Sequence, residues 1–268
     1  MNDRVLVFFI TVLVTSVSVS QSQPEFVSLR PIVATVYTPD NSPEPHIAFL
    51  VAHRTGNSLD NIACRELARR GFMALCFNTR FVNNETEVHW EVLALDVKIA
   101  VDFARNTPGI EKVVLLGHSG GSPLMSFYQA VAENGPSFCR GANKLVECGE
   151  ELTNLMPADG MVFPDAHPGN GVQALHGLNP SLSIINGKVI VDKALDPFDP
   201  DNGFNPNGAS RYSEEFRNRY YQAQSHVMNT KIAEVEALRD SIEAGEHVYP
   251  DEDIVLVPFD AQAGAARL

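Results

Sequence analysis

Residues 112–121 read KVVLLGHSGG, and this stretch decides the fold. Val113 to Leu116 form a short apolar run of the kind that a strand buried on both faces requires. Gly117-His118-Ser119-Gly120-Gly121 follows at once, and a segment with helical spacing begins just beyond it. Strand, G-x-S-x-G and helix in that order make a nucleophile elbow. The chain turns so sharply that Ser119 is forced into a strained backbone conformation, with its hydroxyl projecting above the sheet. Glycines two residues either side avoid side-chain collision in the turn. The helix N-terminus adds its dipole, and the Gly120 N–H can point at a developing oxyanion.

Working outward, β-type and helix-type segments alternate, which predicts a parallel sheet with crossover helices. Ile32 to Tyr37 is β-branched and aromatic, closed by the turn chemistry of Thr38-Pro39-Asp40-Asn41-Ser42-Pro43. Ile47 to Ala52 and Phe72 to Phe77 read as buried strands. Between them lies a helix, capped by Ser58 or Asp60 and ended by Gly71. A second helix is expected from Glu87 to Arg105, with Val88, Val92, Leu95, Ile99 and Phe103 on one face. Beyond the elbow, Gly160 to Pro164 reads as one more strand. Pro and Gly then become dense from Pro168 to Gly208, a long amphipathic helix runs from Ser213 to Ala244, and Ile254 to Phe259 is a last strand-like run.

On the elbow and its setting the chain resembles the α/β-hydrolase superfamily over roughly residues 30 to 165. A second match is His53-Arg54-Thr55-Gly56 after the strand IAFLVA, where the family often has His-Gly and then the residue whose N–H completes the oxyanion hole. The resemblance implies an α/β fold with a mostly parallel sheet, crossover helices and a helical cap insertion. It also implies a serine esterase working through an acyl-serine intermediate, with a histidine base oriented by a carboxylate and no cofactor or metal. Ser119 would be the nucleophile, and Gly120 and Thr55 the oxyanion donors. Arg54 stands where the family has glycine; it reads either as a solvated arginine or as a partner for a substrate carboxylate.

The family's order is serine, acid, then histidine near the carboxyl end. The last histidine here is His247, and Asp260 follows a strand-like run with no histidine after it. Asp165, at the end of the GMVFP run, is the preferred acid. Asp165 and His167 are too close in sequence to serve as an acid–base pair easily. His226, on the long helix, is the candidate base. Residues 1–20 are expected to be a signal peptide, 21–167 the hydrolase core, 168–250 a cap-like helical region, and 251–268 a partial core strand and tail. A chain that stops before two further strand–helix units reads as a fragment with an exposed sheet edge. The competing class is a truncated or degenerate hydrolase fold acting as a binding or interaction module. A dinucleotide binder is disfavoured because no G-x-G-x-x-G follows the early strands.

The 268 residues carry 20 Lys and Arg against 33 Asp and Glu, a net charge of −13, with no dense basic run. That excludes nucleic acid as the main partner and suits a small neutral or cationic ester-type substrate. The run VLVFFITVLVT at 5–15, behind Arg4, resembles a secretory leader, which places the protein outside the cytoplasm; a buried first strand is the alternative reading. It is short for a stable membrane span. Cys64 and Cys76 read as small core residues, whereas Cys139 and Cys148 flank a polar loop that a disulfide would close after export. No short C-x-x-C pair suggests zinc. Asn84-Glu85-Thr86 is a glycosylation sequon relevant only in a eukaryotic secretory pathway. The Asp196–Asp201 cluster lacks the twelfth-position Glu of a calcium loop and reads as a turn; the aromatics from Phe198 to Tyr221 read either as a pocket lining or as that region's own core.

Overall fold

The computed structural model describes residues 24–39, 44–85, 87–141, 144 and 146–246. The chain divides after His167 into two compact units. In the first, β1 (Glu25–Leu29), β2 (Ile32–Tyr37), β3 (Ile47–Val51), β4 (Met73–Asn78), β5 (Lys112–Leu116) and β6 (Gly160–Val162) form one sheet in the order β1-β2-β4-β3-β5-β6. The pairs among β4, β3, β5 and β6 are parallel, and β2 runs antiparallel to both β1 and β4. The fold class read from the sequence, α/β with a mostly parallel sheet, is the observed one.

The period-2 alternation of the strands divides the core between two faces. Ala48, Leu50, Met73, Leu75, Phe77, Val113 and Leu115 pack with α2 (Trp90–Arg105) and α3 (Gly121–Asn134). Val51, Ala74, Cys76 and Leu116 pack with Cys64 and Ala68 of α1 (Ile62–Arg69) on the other face. Residues directly between these in sequence thus meet different helices, which is why the central strands read as unbroken apolar runs.

Several local expectations are corrected. The cap of α1 is Asn61, whose Oδ1 accepts the Ala63 N–H at 2.9 Å, rather than Ser58 or Asp60. Helix α2 starts at Trp90 and not at Glu87. Glu87 instead exchanges hydrogen bonds with Asn84, whose Nδ2 donates to Glu87 Oε2 at 2.8 Å, and His89 is extended, so the chain turns before it coils. Cys64 and Cys76 are core residues, fully buried, but they are also bonded to each other across α1 and β4, with Cα atoms 6.2 Å apart. Cys139 and Cys148 are likewise bonded and close the expected loop.

The second unit holds α4 (Asn170–Gly177), a hairpin of β7 (Leu182–Ile185) and β8 (Lys188–Val191), and α5 (Glu214–Glu243). The hairpin was not foreseen. Helix α5 begins where the pattern predicts, with Ser213 accepting the Phe216 N–H at 3.1 Å. Its first turns bury Phe216, Tyr220 and Gln224, whereas Ile232, Val235 and Ile242 are exposed. The aromatics pack on one another, Phe198 on Phe204 and Tyr212, Phe216 and Tyr220 in series, which makes them this unit's own packing core. In the Asp-rich turn, Asp196 and Asp199 accept the backbone N–H groups of Phe198 and Asp201. Among the described residues no acidic or His/Cys cluster is arranged for a metal, and no helix is long and apolar enough to cross a membrane. Residues 1–20, His247, the Ile254–Phe259 run and Asp260 lie outside the described residues.

Candidate active site

Ser119 sits between β5 and α3 with φ 52°, a left-handed conformation that a non-glycine residue adopts only when its surroundings enforce it. The enforcing contacts are visible at its neighbours. Gly117 donates to Val162 O of β6 at 3.0 Å, Gly121 to His118 O at 2.8 Å, and Ser122 to Ser119 O at 3.0 Å. A Cβ on Gly117 would stand 2.7 Å from Ser122 Cα, and one on Gly121 would stand under 3.0 Å from Ala52 O. Only glycine fits either place. Ser119 also pairs with Ala166 in an isolated parallel bridge that brings the loop after β6 alongside the elbow.

The loop after β3 packs against the elbow through His53. A Cβ on Gly120 would run into the His53 ring, with Cε1 at 3.0 Å. Nδ1 of that ring accepts the N–H of Gly56 at 2.7 Å and of Thr55 at 3.1 Å. Nδ1 is therefore unprotonated and the neutral imidazole carries its hydrogen on Nε2. Burial first, and the Arg54 guanidinium second, hold His53 below the usual histidine pKa, with smaller contributions from His167 and His118. Thr55 is buried, and its N–H, expected to serve an oxyanion, is committed to His53 in this arrangement. Gly120, by contrast, makes no hydrogen bond through its N–H among the described residues.

The loop is latched from a third side. Arg54 reaches Glu85 through Nε at 3.1 Å and Nη2 at 2.8 Å, Thr55 Oγ1 donates to Glu85 Oε1, Thr79 Oγ1 donates to Arg54 O at 2.6 Å, and Asn83 donates to Thr55 O at 2.7 Å. The Arg54 side chain is 17% exposed, so the solvated reading is corrected: it is an ion pair on the loop. The bond from Thr55, ahead of those from Arg54, holds the Glu85 carboxyl below its ordinary pKa. The segment carrying Glu85 is tied to α2 by Arg80, whose N–H and guanidinium bind the buried Asp96 at 2.7 to 2.9 Å.

Asp165 lies in the loop after β6 at φ 50°, with its side chain 92% exposed, and its Oδ2 is 3.7 Å from His118 Nε2. The imidazole facing the expected acid is thus the residue beside the serine. His226 is exposed on α5 and belongs to the second unit. No described residue hydrogen-bonds Ser119 Oγ. The structure thus brings together Ser119, Gly120, Thr55 and Asp165 with three histidines, of which sequence reasoning had not singled out His53 and His118. Their signal was adjacency alone: one follows a buried strand, the other sits inside the elbow.

No family model matches the chain, and no curated protein matches it by sequence. Among solved structures it is similar to the siderophore hydrolase EstB from Aspergillus fumigatus, at 15% identity over 53% of this chain and 42% of that one, with a TM-score of 0.38. It is similar also to brefeldin A esterase, a bacterial homologue of human hormone sensitive lipase, at 20% identity over 47% and 39%, with a TM-score of 0.33. Dienelactone hydrolase from Anabaena variabilis shares 18% identity over 44% and 61%, with a TM-score of 0.34. The chain therefore spans less than two thirds of each.

Proposed function

We propose that this chain is a hydrolase that cleaves a carboxylic ester, thioester or lactone through an acyl-serine on Ser119. The observation that carries the reading is Ser119 itself: a serine at positive φ, on a strand-to-helix turn whose flanking glycines are required by backbone contacts, beside an uncommitted Gly120 N–H. Ser119 Oγ attacks the carbonyl carbon, the proton passes to a base, and the Gly120 N–H takes the oxyanion. The alcohol or thiol then leaves with a proton, and water releases the acid. His53 is not the base, because Nδ1 is filled by two N–H donors and Nε2 already carries a hydrogen. The base is assigned to a histidine of the unit that carries Ser119, either His118, with Asp165 at 3.7 Å as its acid, or His167 with another acid. No cofactor is invoked, and the net charge of −13 favours a neutral or cationic small-molecule substrate. Export is part of the same reading, supported by the apolar run at 5–15 and by two disulfides, which persist in oxidising compartments.

The test is covalent labelling by a fluorophosphonate with turnover of an activated acetate ester, comparing the parent chain with Ser119→Ala and with Gln at each candidate histidine. Labelling that requires Ser119, and turnover abolished by one of the Gln variants, supports the hydrolase. A second reading has its own observation: among the described residues the Ser119 hydroxyl has no hydrogen-bonded base, and the Thr55 N–H is occupied. A folded chain that neither labels nor turns over would assign it to a non-catalytic binding module.

A further inference from the structure

The β7–β8 hairpin presents apolar side chains on both faces. Ile184, Ile185, Val189, Ile190 and Val191 are each 45% to 66% exposed. Together they show on the order of 450 Å² of apolar surface divided between the two faces, which marks the hairpin as a place where a partner can bind. A hairpin of two strands is also marginal by itself. Its conformation is nevertheless well specified, because Asn186 and Gly187 both have positive φ, which is the two-residue type I′ turn that matches strand twist.

The edge of β8 that no described residue pairs carries its own register information. Asp192 donates its N–H inward to Ser181 O at 2.8 Å. Backbone direction alternates along an antiparallel strand, so Lys188 and Ile190 also face β7, and the backbone groups of Val189 and Val191 face outward. A second copy of the same strand, laid antiparallel about a two-fold axis at Ile190, would pair Val189 with the other copy's Val191 through those outward groups. The same register sets Lys188 opposite the other copy's Asp192 at both ends. Both fall at positions without backbone hydrogen bonds, where cross-strand side chains come closest. Strand β7 offers no such match, since Leu182–Ile185 holds no charge.

We propose that this chain forms a two-fold dimer by antiparallel pairing of β8 with its own copy, giving a continuous four-stranded sheet. Edge pairing of this kind covers the β8 edge and leaves the hairpin faces open, a contact smaller than a stable interface, so the dimer is a weak one with a dissociation constant in the micromolar range.

The experiment is sedimentation equilibrium of the full chain between about 1 and 200 μM at 0.15 M salt, with far-UV circular dichroism to establish that each variant is folded. The parent is expected to show a reversible monomer–dimer equilibrium. Val189→Pro removes an outward N–H without touching the hairpin's own ladder and should stay monomeric throughout. Lys188→Asp sets like charges opposite each other twice and should weaken the dimer roughly ten-fold. Adding Asp192→Lys should restore it to within about three-fold of the parent on the same scale. A parent chain monomeric at every concentration overturns the proposal. So does a folded Val189→Pro that dimerises like the parent, or a charge swap that fails to recover. Association lost in Ile184→Lys or in Met161→Lys at β6, yet retained in Val189→Pro, would assign the contact to the hairpin face or to the β6 edge and equally overturn it.

Discussion

Replacing the elbow glycines one at a time separates backbone collision from side-chain collision and from plain conformational strain. At Gly121 an added methyl meets the carbonyl oxygen of Ala52 at under 3.0 Å, and that oxygen belongs to the chain just beyond β3, the middle of the sheet. Neither partner can rotate away. Overpacking a rigid site costs about 1–3 kcal/mol, and a backbone obstacle places Gly121→Ala at or above the top of that range. At Gly120 the obstacle is the His53 ring, which can swing aside by giving up its bonds from Thr55 and Gly56, a loss of about 2 kcal/mol at roughly 1 kcal/mol each. At Gly135, which ends α3 at φ 78° and ψ 172° with nothing within 4 Å of a built Cβ, alanine meets only the penalty of that glycine-favouring backbone region, about 1–3 kcal/mol. For a unit of this size each kcal/mol moves the melting temperature by about 2–4 °C. Thermal unfolding followed by circular dichroism should therefore rank Gly121→Ala lowest, by about 6–12 °C, with the other two between it and the parent. A Gly121→Ala chain that melts within a degree or two of the parent, or no lower than Gly135→Ala, would refute the tight elbow and with it the enforced conformation of Ser119.

The buried Asp96 accepts three N–H groups of Arg80, so Asp96→Ala should destabilise by about 3 kcal/mol, at the low end for a broken buried pair because Arg80 is partly exposed; denaturant midpoints measure it. His53 has a depressed pKa, so the unfolded chain binds its proton more readily, and stability should fall as pH drops below about 6.5. In His53→Asn, whose Oδ1 can accept the same two N–H groups and does not titrate, that part of the slope should vanish; equal slopes for the two chains would sink the assignment. Joint replacement of Cys139 and Cys148 by serine should cost about 2–3 kcal/mol, the entropy of a short closed loop, and reducing agent should lower the parent's guanidinium midpoint but barely move one lacking both bridges.

What could be read from residues 30–165 was whatever local pattern enforces. The elbow was legible because a strand, two spaced glycines and a helix start leave the serine between them one backbone solution. The central strands were legible because burial on both faces removes alternation. The edge strand β1 was not, since its residues are mostly exposed, Phe26 conspicuously, and an amphipathic five-residue run does not stand out from a loop. The β7–β8 hairpin did carry its signal, Asn186-Gly187 between two β-branched runs, but surrounding prolines and glycines masked it. The pairing of Cys64 with Cys76 needed the knowledge that α1 folds back on β4. The roles of His53, Arg54 and Glu85 needed contacts between loops 30 residues apart, which no spacing rule encodes.

Whether the elbow works as a catalyst turns on the Thr55 N–H. Its bond to His53 Nδ1 is a neutral one at 3.1 Å, longer than that from Gly56, and is worth about 1 kcal/mol. A donor to an oxyanion is worth about 2.7–4 kcal/mol of transition-state stabilisation. Redirecting the N–H from imidazole to oxyanion is therefore favourable by a few kcal/mol at the donor itself, with Gly56 still satisfying Nδ1. The opposing cost lies in the latch, because the peptide that carries this N–H also carries the Arg54 carbonyl, which accepts from Thr79 Oγ1 at 2.6 Å, while the Thr55 hydroxyl is held by Glu85, which Arg54 fixes in place. A peptide that turns the Thr55 N–H also turns the Arg54 carbonyl away from Thr79. Through Glu85, Arg54 thus stiffens the residue whose N–H the proposed oxyanion role would redirect.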